Sequence, residues 1–219
     1  MSDAQLNILA AKLKTVMKPD LNQHGNAYVI RSLYFDDIWD SCMEENESGI
    51  DDRSKLRIRT YTYDAEKLYL ENKEKLRGYT KKSRNIVSRQ ECFDIMDGKA
   101  LPFGERKVVN QLSLAMKTSH MRPKAIIEYE RSAFVHPLGN VRITFDRNIT
   151  ASRCCEDFLS KTVRQQTAVL PAGMHVLEVK YDEFLPDYIA QLIEDGNLIQ
   201  TAFSKYYLGR LAAEGEFVY

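Results

Sequence analysis

Several features that mark common functional classes are absent from this chain. Lys plus Arg and Asp plus Glu both number 31, so there is no net charge to draw in nucleic acid or an anionic membrane. No stretch approaches the roughly 18 apolar residues of a membrane-spanning helix. The first 20 residues lack the basic start and apolar core of a secretory signal. We therefore expect a soluble cytoplasmic protein that recognises its ligand through local groups of charges.

Motifs for metal, redox or nucleotide chemistry are scarce as well. The four cysteines contain no CxxC pair, and the four histidines are scattered without an HExxH motif. This argues against a zinc site and predicts reduced thiols. There is no GxxxxGK[ST] and no GxGxxG after a strand, so a triphosphate would have to be bound by side chains.

The chain shows no repeat, linker or low-complexity tract, which predicts one domain over residues 1–219. Apolar periodicity and capping signals predict helices near 3–17, 88–98, 104–119, 186–196 and 204–215, with a short helix or loop at 38–48. Patterns rich in β-branched and aromatic residues predict strands at 28–37, 53–63, 67–77, 124–135, 141–149 and 175–183. Because few strands are separated by single helices, we expect an α+β fold whose antiparallel sheet is strongly curved or closed into a barrel with flanking helices.

The strands carry an unusual number of charges on one face. Lys55, Arg57 and Arg59 alternate with Leu56 and Ile58, which places the three cations on one side of the sheet. Other strands repeat the alternation, with the polar sets Glu71, Lys73 and Lys75; Arg142, Thr144 and Asp146; and Glu178, Lys180 and Asp182. In the strand at 124–135 the alternation is less clean, and Arg131 shares a face with Ile127 and Tyr129.

Two interpretations of this face remain open. An antiparallel sheet usually has one solvated polar face, on which Glu–Lys pairs contribute little. Alternatively, the polar faces point into a barrel, where repelling cations need an anion to offset their charge. Arg and Lys bind phosphate oxygens, and carboxylates bind a divalent cation. The second interpretation predicts a phosphate chain with a metal ion.

The charged strings also resemble a known family. In family order, the chain contains "SLYFDD" (32–37), "KLRIRTY" (55–61), "LENKEK" (70–75), "YTKKS" (79–83), "IEYERSAF" (127–134), "VRITFD" (141–146), "VLEVKYD" (176–182) and "FSKY" (203–206). Together these resemble the VTC domain, the polyphosphate polymerase domain of the vacuolar transporter chaperone complex, and its free-standing bacterial relatives. The family lies in the triphosphate-tunnel (CYTH-like) superfamily of antiparallel barrels.

The resemblance implies an enzyme that transfers the γ-phosphoryl group of ATP to a growing polyphosphate chain, with Mn²⁺ or Mg²⁺ as cofactor. The catalytic residues it implies are Arg57, Arg59, Lys73, Arg131, Arg142, Lys180 and Lys205. The phosphate-binding residues it implies are Arg57, Arg59, Lys73, Lys82, Arg131, Arg142 and Lys205. Glu178 is the implied metal ligand. Glu71 is either a second acidic ligand or a charge balance for Lys73.

The chain departs from the family pattern at its start. Relatives usually open with a strand bearing an acidic residue and a lysine, whereas this chain begins directly at the predicted first helix. We therefore expect a barrel that lacks one strand and exposes an edge for pairing with another chain, as in a homo-oligomer. The resemblance further implies association with a membrane-protein partner.

Other functions stay open at this stage. A metal-dependent triphosphatase would use the same cationic lining with water as the acceptor. A module that binds polyphosphate without turnover would need no catalysis at all. Nucleic-acid binding is disfavoured, because the balanced charge argues against a broad basic surface.

Four further residues receive structural interpretations. Trp39 is predicted to pack beside the first strand, and Tyr206 to lie buried against the barrel wall. Asp36 and Asp37 are predicted to cap the next helix in preference to binding a metal.

Overall fold

The computed structural model describes residues 1–21, 23, 25–194 and 198–216, without the side chain of Asn46. The helices are α1 (Asp3–Val16), α2 (Ser41–Glu47), α3 (Arg89–Met96), α4 (Lys107–Thr118), α5 (Asp187–Ile193) and α6 (Lys205–Glu214). The strands are β1 (Lys18–Pro19), β2 (Tyr28–Asp36), β3 (Arg53–Thr60), β4 (Lys67–Leu76), β5 (Tyr79–Ser88), β6 (Arg122–His136), β7 (Val141–Ser152), β8 (Thr167–Ala168) and β9 (Val176–Lys180).

The strands pair into one antiparallel sheet with the order β5-β4-β3-β2-β6-β7-β8. β1 pairs with β6, and β9 pairs with β7. Register shifts at Tyr34/Phe35 in β2 and at Glu128/Glu130 in β6 mark irregularities of the kind that bend a sheet. The predicted α+β fold with an antiparallel, tunnel-like sheet and flanking helices is confirmed.

Across the described residues no ladder joins β5 to β9, so the sheet is tunnel-like without being fully closed. Lys82 of β5 and Lys180 of β9 nevertheless lie near enough for the Lys180 charge to lower the pKa of Lys82. The sheet therefore curves until its two sides approach. The pairing of an edge with another chain stays a prediction.

Apolar side chains of β3, β4, β6 and β7 cover the outer face of the sheet, beneath helices. Leu56 and Ile58 of β3 pack with residues of β4, α3 and α4 in one buried cluster. Phe134 and Ile143 pack with α1 and α5 in a second. The interpretation that the charged face points inward is thus favoured, because the apolar face is already covered from outside.

Helix α6 lies on the inner face of the sheet. Tyr206 stacks on Tyr34 of β2, with ring centroids 5.2 Å apart, and donates a hydrogen bond to the buried Asp36 carboxylate at 2.6 Å. The burial of Tyr206, at 2% exposure, confirms its prediction. Part of the inner face is therefore filled by a helix, and the rest carries the cations.

Gly209 lets α6 approach the sheet. A Cβ at this position would lie 2.2 Å from Cδ1 of Ile127 and 3.3 Å from Cβ of Ala151. Overpacking of this kind costs about 1–3 kcal/mol, against a helix-propensity gain of about 1 kcal/mol. We expect Gly209→Ala to lower the free energy of unfolding in urea by about 1 kcal/mol. Gly104→Ala, where no atom lies within 4 Å, is the matched control. A Gly209→Ala protein more stable than wild type would contradict this packing.

Most predicted elements are confirmed with shifts of a few residues at their ends. Ser2 and Ser88 form capping boxes at the starts of α1 and α3 with Gln5 and Glu91. The helix predicted at 186–196 is α5, and its predicted end at Gly196 lies outside the described residues. Strand β5 was not predicted, because its residues are mostly exposed cations and polar side chains with little apolar alternation.

The segment after β2 corrects one prediction and confirms another. Trp39 is 73% exposed, so the prediction that it packs beside the first strand was wrong. Asp36 and Asp37 do cap the start of α2: Asp36 accepts from the backbone N–H of Cys42 at 2.9 Å, and Asp37 from that of Ser41 at 3.0 Å. The acidic pair therefore fixes a helix end.

Among the described helices, none combines the length and apolar character that crossing a bilayer requires.

Candidate functional site

The centre of the site is a pair of arginines on the inner face of β3. Arg57 lies opposite Glu71 of β4 in the ladder, and its Nε donates to Glu71 Oε2 at 2.8 Å. Arg59, two residues along, holds the same carboxylate at 3.7 Å. Glu71 thus balances two arginines, and among the described residues it forms no ion pair with Lys73, the partner that one of its two predicted roles required. Its other predicted role, as a second acidic ligand, stays a prediction.

Tyr34 supports Arg57 from the neighbouring strand. The guanidinium donates to the Tyr34 hydroxyl at 2.8 Å and lies 5.7 Å from its ring centroid. Burial raises the pKa of Tyr34, but Arg57 and Arg59 together outweigh it and hold that pKa below its usual value. The direction of this shift shows that cationic charge dominates the centre of the inner face.

A second group of charges comes from β6, β7 and α6. Arg131 makes a bidentate ion pair with the buried Asp146, at 2.6 and 2.7 Å. Lys205, from the first turn of α6, reaches the same carboxylate at 2.7 Å. Arg131 and Lys205 also lie over the ring of Tyr129, at 5.3 and 5.1 Å from its centroid. Two cations therefore share one carboxylate, which leaves a net positive charge.

Glu178 joins this group from β9, the strand that pairs with β7. Its carboxylate lies 2.8 Å from Lys180 Nζ and 3.5 Å from Arg131. Burial raises the pKa of Glu178, but Lys180, Arg131 and Lys205 outweigh it and lower that pKa to about 2. Glu178 is accordingly ionised throughout the neutral range.

A lysine row crosses three strands beside the arginines. In the ladders, Lys55 of β3 lies opposite Lys73 of β4, which lies opposite Lys82 of β5. Lys73 and Lys82 form no ion pair with any described residue. Partial desolvation is the largest cause that lowers the pKa of both lysines, nearby cations add to it, and Glu178 partly offsets it. Repulsion of this kind is relieved when an anion binds.

Arg142 lies at the margin of the site. It pairs with Asp20 at 2.9 Å and donates to the Tyr28 hydroxyl at 3.3 Å. In the ladder it faces Lys180, and the two line a cleft with Asn140 and Tyr181. Arg142 therefore belongs to the same face as the other cations but is already balanced by a carboxylate.

Three buried polar atoms on the inner face have no hydrogen-bond partner among the described residues: Ser32 Oγ, Arg59 Nε and Thr144 Oγ1. Ser32 faces Arg59 across the β2–β3 ladder, and Thr144 faces Glu178 across the β7–β9 ladder. Buried polar groups are rarely left unpaired, because this costs free energy. A bound oxyanion, or a water molecule held by it, would supply the hydrogen-bond partners that these atoms lack.

The structure therefore brings the predicted residues onto one curved face, on which Lys73, Lys82 and Lys180 remain exposed. Arg57, Lys73, Lys82, Glu178 and Lys180 each influence the pKa of another member of the set across strands that are distant in sequence. Whether each of these residues acts in binding or catalysis stays a prediction.

Lys55 also belongs to the site, although it is not among the functional residues that the resemblance implies. Its position on the cationic face was predicted from the alternation in β3. Its Nζ donates to Ser204 Oγ at 3.1 Å. Burial is the main cause that lowers the pKa of Lys55 from 10.5 to about 8, and Arg53 and Lys73 add to it.

The depressed pKa of Lys55 predicts proton uptake on anion binding. At pH 8, before the anion binds, Lys55 is about half protonated. A bound anion raises its pKa, so we expect uptake of about half a proton. At pH 6 the lysine is already charged, and uptake is expected to vanish. Calorimetric titration with tripolyphosphate in two buffers of different ionisation enthalpy measures the difference. Equal uptake by wild type and Lys55→Met at pH 8 would contradict the assignment.

A divalent cation at this site would be coordinated mainly by oxygens of the bound phosphates and less by oxygens of the protein. Among the described residues, no three His, Cys, Asp or Glu side chains converge on a metal position. Glu178 has a side chain that is 37% exposed, whereas Glu71 is at 22% and Asp146 at 0%. Since Mg²⁺ is typically held by one or two carboxylates, waters and substrate phosphates, the predicted role of Glu178 fits the donor set.

Asp146, Tyr34 and Tyr129 form part of the site but were not proposed for it from the sequence. The sequence could have suggested Asp146, because it shares the polar face of β7 with Arg142. The two tyrosines look like ordinary strand residues in the sequence, and only the fold shows that they lie beneath the arginines.

Comparison with known proteins agrees with this arrangement. The family model for the VTC domain matches residues 1–213. No curated protein matches the chain. A crystal structure of a candidate adenylate cyclase from Bacillus halodurans is similar, with 14% identity and a TM-score of 0.52, and covers 89% of this chain and 82% of the other.

A candidate adenylyl cyclase from Hippeastrum, described as having a dominant triphosphatase activity, is also similar. It shares 15% identity with a TM-score of 0.58, and the match covers 100% of this chain and 93% of the other. At these identities the two structures establish the fold alone, which is that of the triphosphate-tunnel proteins. The family match over nearly the whole chain goes further, and this protein belongs to the VTC domain family.

Proposed function

We propose that this protein is a polyphosphate polymerase, which transfers the γ-phosphoryl group of ATP to a growing polyphosphate chain. The main support is the inner face itself, where Arg57, Arg59, Lys73, Lys82 and Lys205 converge with too few carboxylates to balance them. A chain of phosphates supplies many closely spaced negative charges along the direction in which these cations are arrayed. Membership of the VTC domain family supports the same activity.

In the proposed transfer the protein has to align the acceptor chain with ATP and to neutralise the charge of the phosphates. An oxygen at the end of the acceptor chain attacks the γ-phosphorus of ATP, the bond to the β–γ bridging oxygen breaks, and ADP leaves. Arg57 and Arg59 would clamp phosphate oxygens with paired N–H donors. Lys73, Lys180 and Lys205 would neutralise charge on the transferred and leaving groups. No nucleophilic side chain is needed.

Glu178 would hold Mn²⁺ or Mg²⁺ together with phosphate oxygens, and the ion would neutralise charge on those oxygens. The Lys180 and Arg131 contacts keep Glu178 ionised at a pKa of about 2. The carboxylate is therefore ionised, and able to bind a cation, throughout the neutral pH range.

Incubation of the full chain with ATP and Mn²⁺, followed by gel detection of polyphosphate, tests the proposal. We expect long chains from wild type and from Lys99→Ala, whose side chain is 65% exposed on the outer surface. Arg57→Ala and Glu178→Ala are expected to make little or none. If wild type and all three variants behave alike, the assignment of the site is wrong.

A metal-dependent triphosphatase is the second candidate, and one observation favours it. The similar Hippeastrum structure is described as having a dominant triphosphatase activity. In that case water replaces the acceptor chain in the same cationic site. Release of orthophosphate from ATP or tripolyphosphate without any polymer would support this candidate. Tight binding of polyphosphate with no turnover of ATP would indicate a binding module.

A further inference from the structure

Three tyrosines form a cluster at one end of the cationic face. Tyr61, just after β3, lies 6.0 Å from the ring of Tyr28 on β2 and 6.1 Å from that of Tyr69 on β4. The Arg84 guanidinium lies 5.5 Å from the centroid of the Tyr69 ring. Rings contributed by three strands thus meet at the point where the inner face ends.

This cluster is not part of a buried core. Tyr61 is 47% exposed, and Ile86, which lies opposite Tyr69 in the β4–β5 ladder, is 51% exposed. Tyr28 packs against the edge of a buried apolar cluster, whereas Tyr61 and Tyr69 belong to no such cluster of the described residues. A half-exposed aromatic surface inside a concave face is a feature of ligand sites more than of stability.

The cluster adjoins the phosphate-binding cations directly. Tyr69 lies opposite Arg59 in the β3–β4 ladder, and Tyr28 lies opposite Arg131 in the β2–β6 ladder. The Tyr28 hydroxyl also accepts a hydrogen bond from Arg142 at 3.3 Å. The tyrosine cluster and the adjoining cations together match a ligand in which an aromatic ring is joined to a chain of phosphates.

We propose that Tyr61, supported by Tyr28 and Tyr69, is a stacking platform for the base of the nucleoside triphosphate. The assignment rests on the proposed function and adds a place for the nucleoside to it. The base stacks at the tyrosine end, and the triphosphate extends from it along Arg59 and Arg57. Stacking does not read the edges of a base, so ATP and GTP are expected to bind with similar affinity.

Equilibrium binding to the full chain separates the base from the phosphates. The probes are β,γ-imido-ATP and inorganic tripolyphosphate, titrated by calorimetry into wild type, Tyr61→Ala, Tyr61→Phe and Tyr79→Ala. Tyr79 is 83% exposed in the β4–β5 hairpin and serves as the matched control. We expect Tyr61→Ala to weaken the nucleotide about tenfold and to leave tripolyphosphate unchanged. Tyr61→Phe and Tyr79→Ala should bind both probes as wild type does.

The outcomes distinguish the platform from the anion site. If Tyr61→Ala binds both probes as tightly as wild type, the platform is refuted while the anion site stands. If Tyr61→Ala weakens both probes equally, the tyrosine supports the site as a whole, and the platform is again refuted. If wild type binds neither probe, the proposed function and the platform are refuted together.

Discussion

Replacing Arg57 with alanine is expected to lower kcat/KM for ATP-dependent polyphosphate synthesis about 10²–10³-fold. The guanidinium lies among the other cations, with its side chain 23% exposed. Glu71 at 2.7 Å and Tyr34 at 2.8 Å fix it, so its donors point at one place. A group fixed in this way neutralises charge in the transition state without reorganising. Its removal also leaves Glu71 free to repel the phosphate chain.

Arg57→Lys is the informative partner variant. Lysine keeps the charge but cannot reproduce the fixed fork of donors, so we expect an intermediate loss of activity. Urea denaturation of both variants checks that the fold is retained. Activity of Arg57→Ala within threefold of wild type would contradict the role given to this residue.

Removing Arg131 is expected to have the largest effect on stability. Asp146 is fully buried, and Arg131→Ala would leave it with Lys205 as its remaining cationic partner. Breaking a buried pair by deleting one partner typically costs about 3–5 kcal/mol, because the other charge stays buried. We expect a loss of that size in the free energy of unfolding measured in urea.

A double-mutant cycle tests the cause of this loss. Arg131→Ala/Asp146→Ala removes both charges, so it should lose less stability than the sum of the single variants. Lys99→Ala, which breaks exposed pairs at 3.5 Å, should lose less than about 1 kcal/mol. A loss below 1 kcal/mol for Arg131→Ala would show that the pair is not needed for folding.

The alternation of charged and apolar residues was enough to predict which side chains of each strand share a face. Leu56 and Ile58 had to lie together and away from Arg57, whatever the fold, because successive side chains of a strand point to opposite faces. Five strands with the same pattern then predicted a shared cationic surface. The resemblance to the VTC domain supplied the tunnel, and the structure confirms that fold.

Features that depend on contacts across the tunnel could not be predicted in this way. Helix α6 lies on the inner face because Gly209 permits close approach to Ile127, and no local pattern encodes this distance. Strand β5 lacks apolar alternation because its polar side chains remain exposed at the edge of the sheet. Trp39 was expected to pack because of its size, yet the tight turn fixed by Asp37 holds it in solvent.

The central claim is that cations from separate strands converge so that a phosphate chain can offset their repulsion. Thermal unfolding with increasing tripolyphosphate, compared between wild type and Lys73→Ala/Lys82→Ala, tests it most directly. These two lysines form no ion pair with a described residue, so their removal leaves no carboxylate unpaired. We expect tripolyphosphate at 100 times its Kd to raise the Tm of wild type by about 5 °C or more. We expect the double variant to lose most of that rise and Lys99→Ala to keep it. A wild-type Tm that does not respond to tripolyphosphate, or a double variant that responds fully, would contradict the claim.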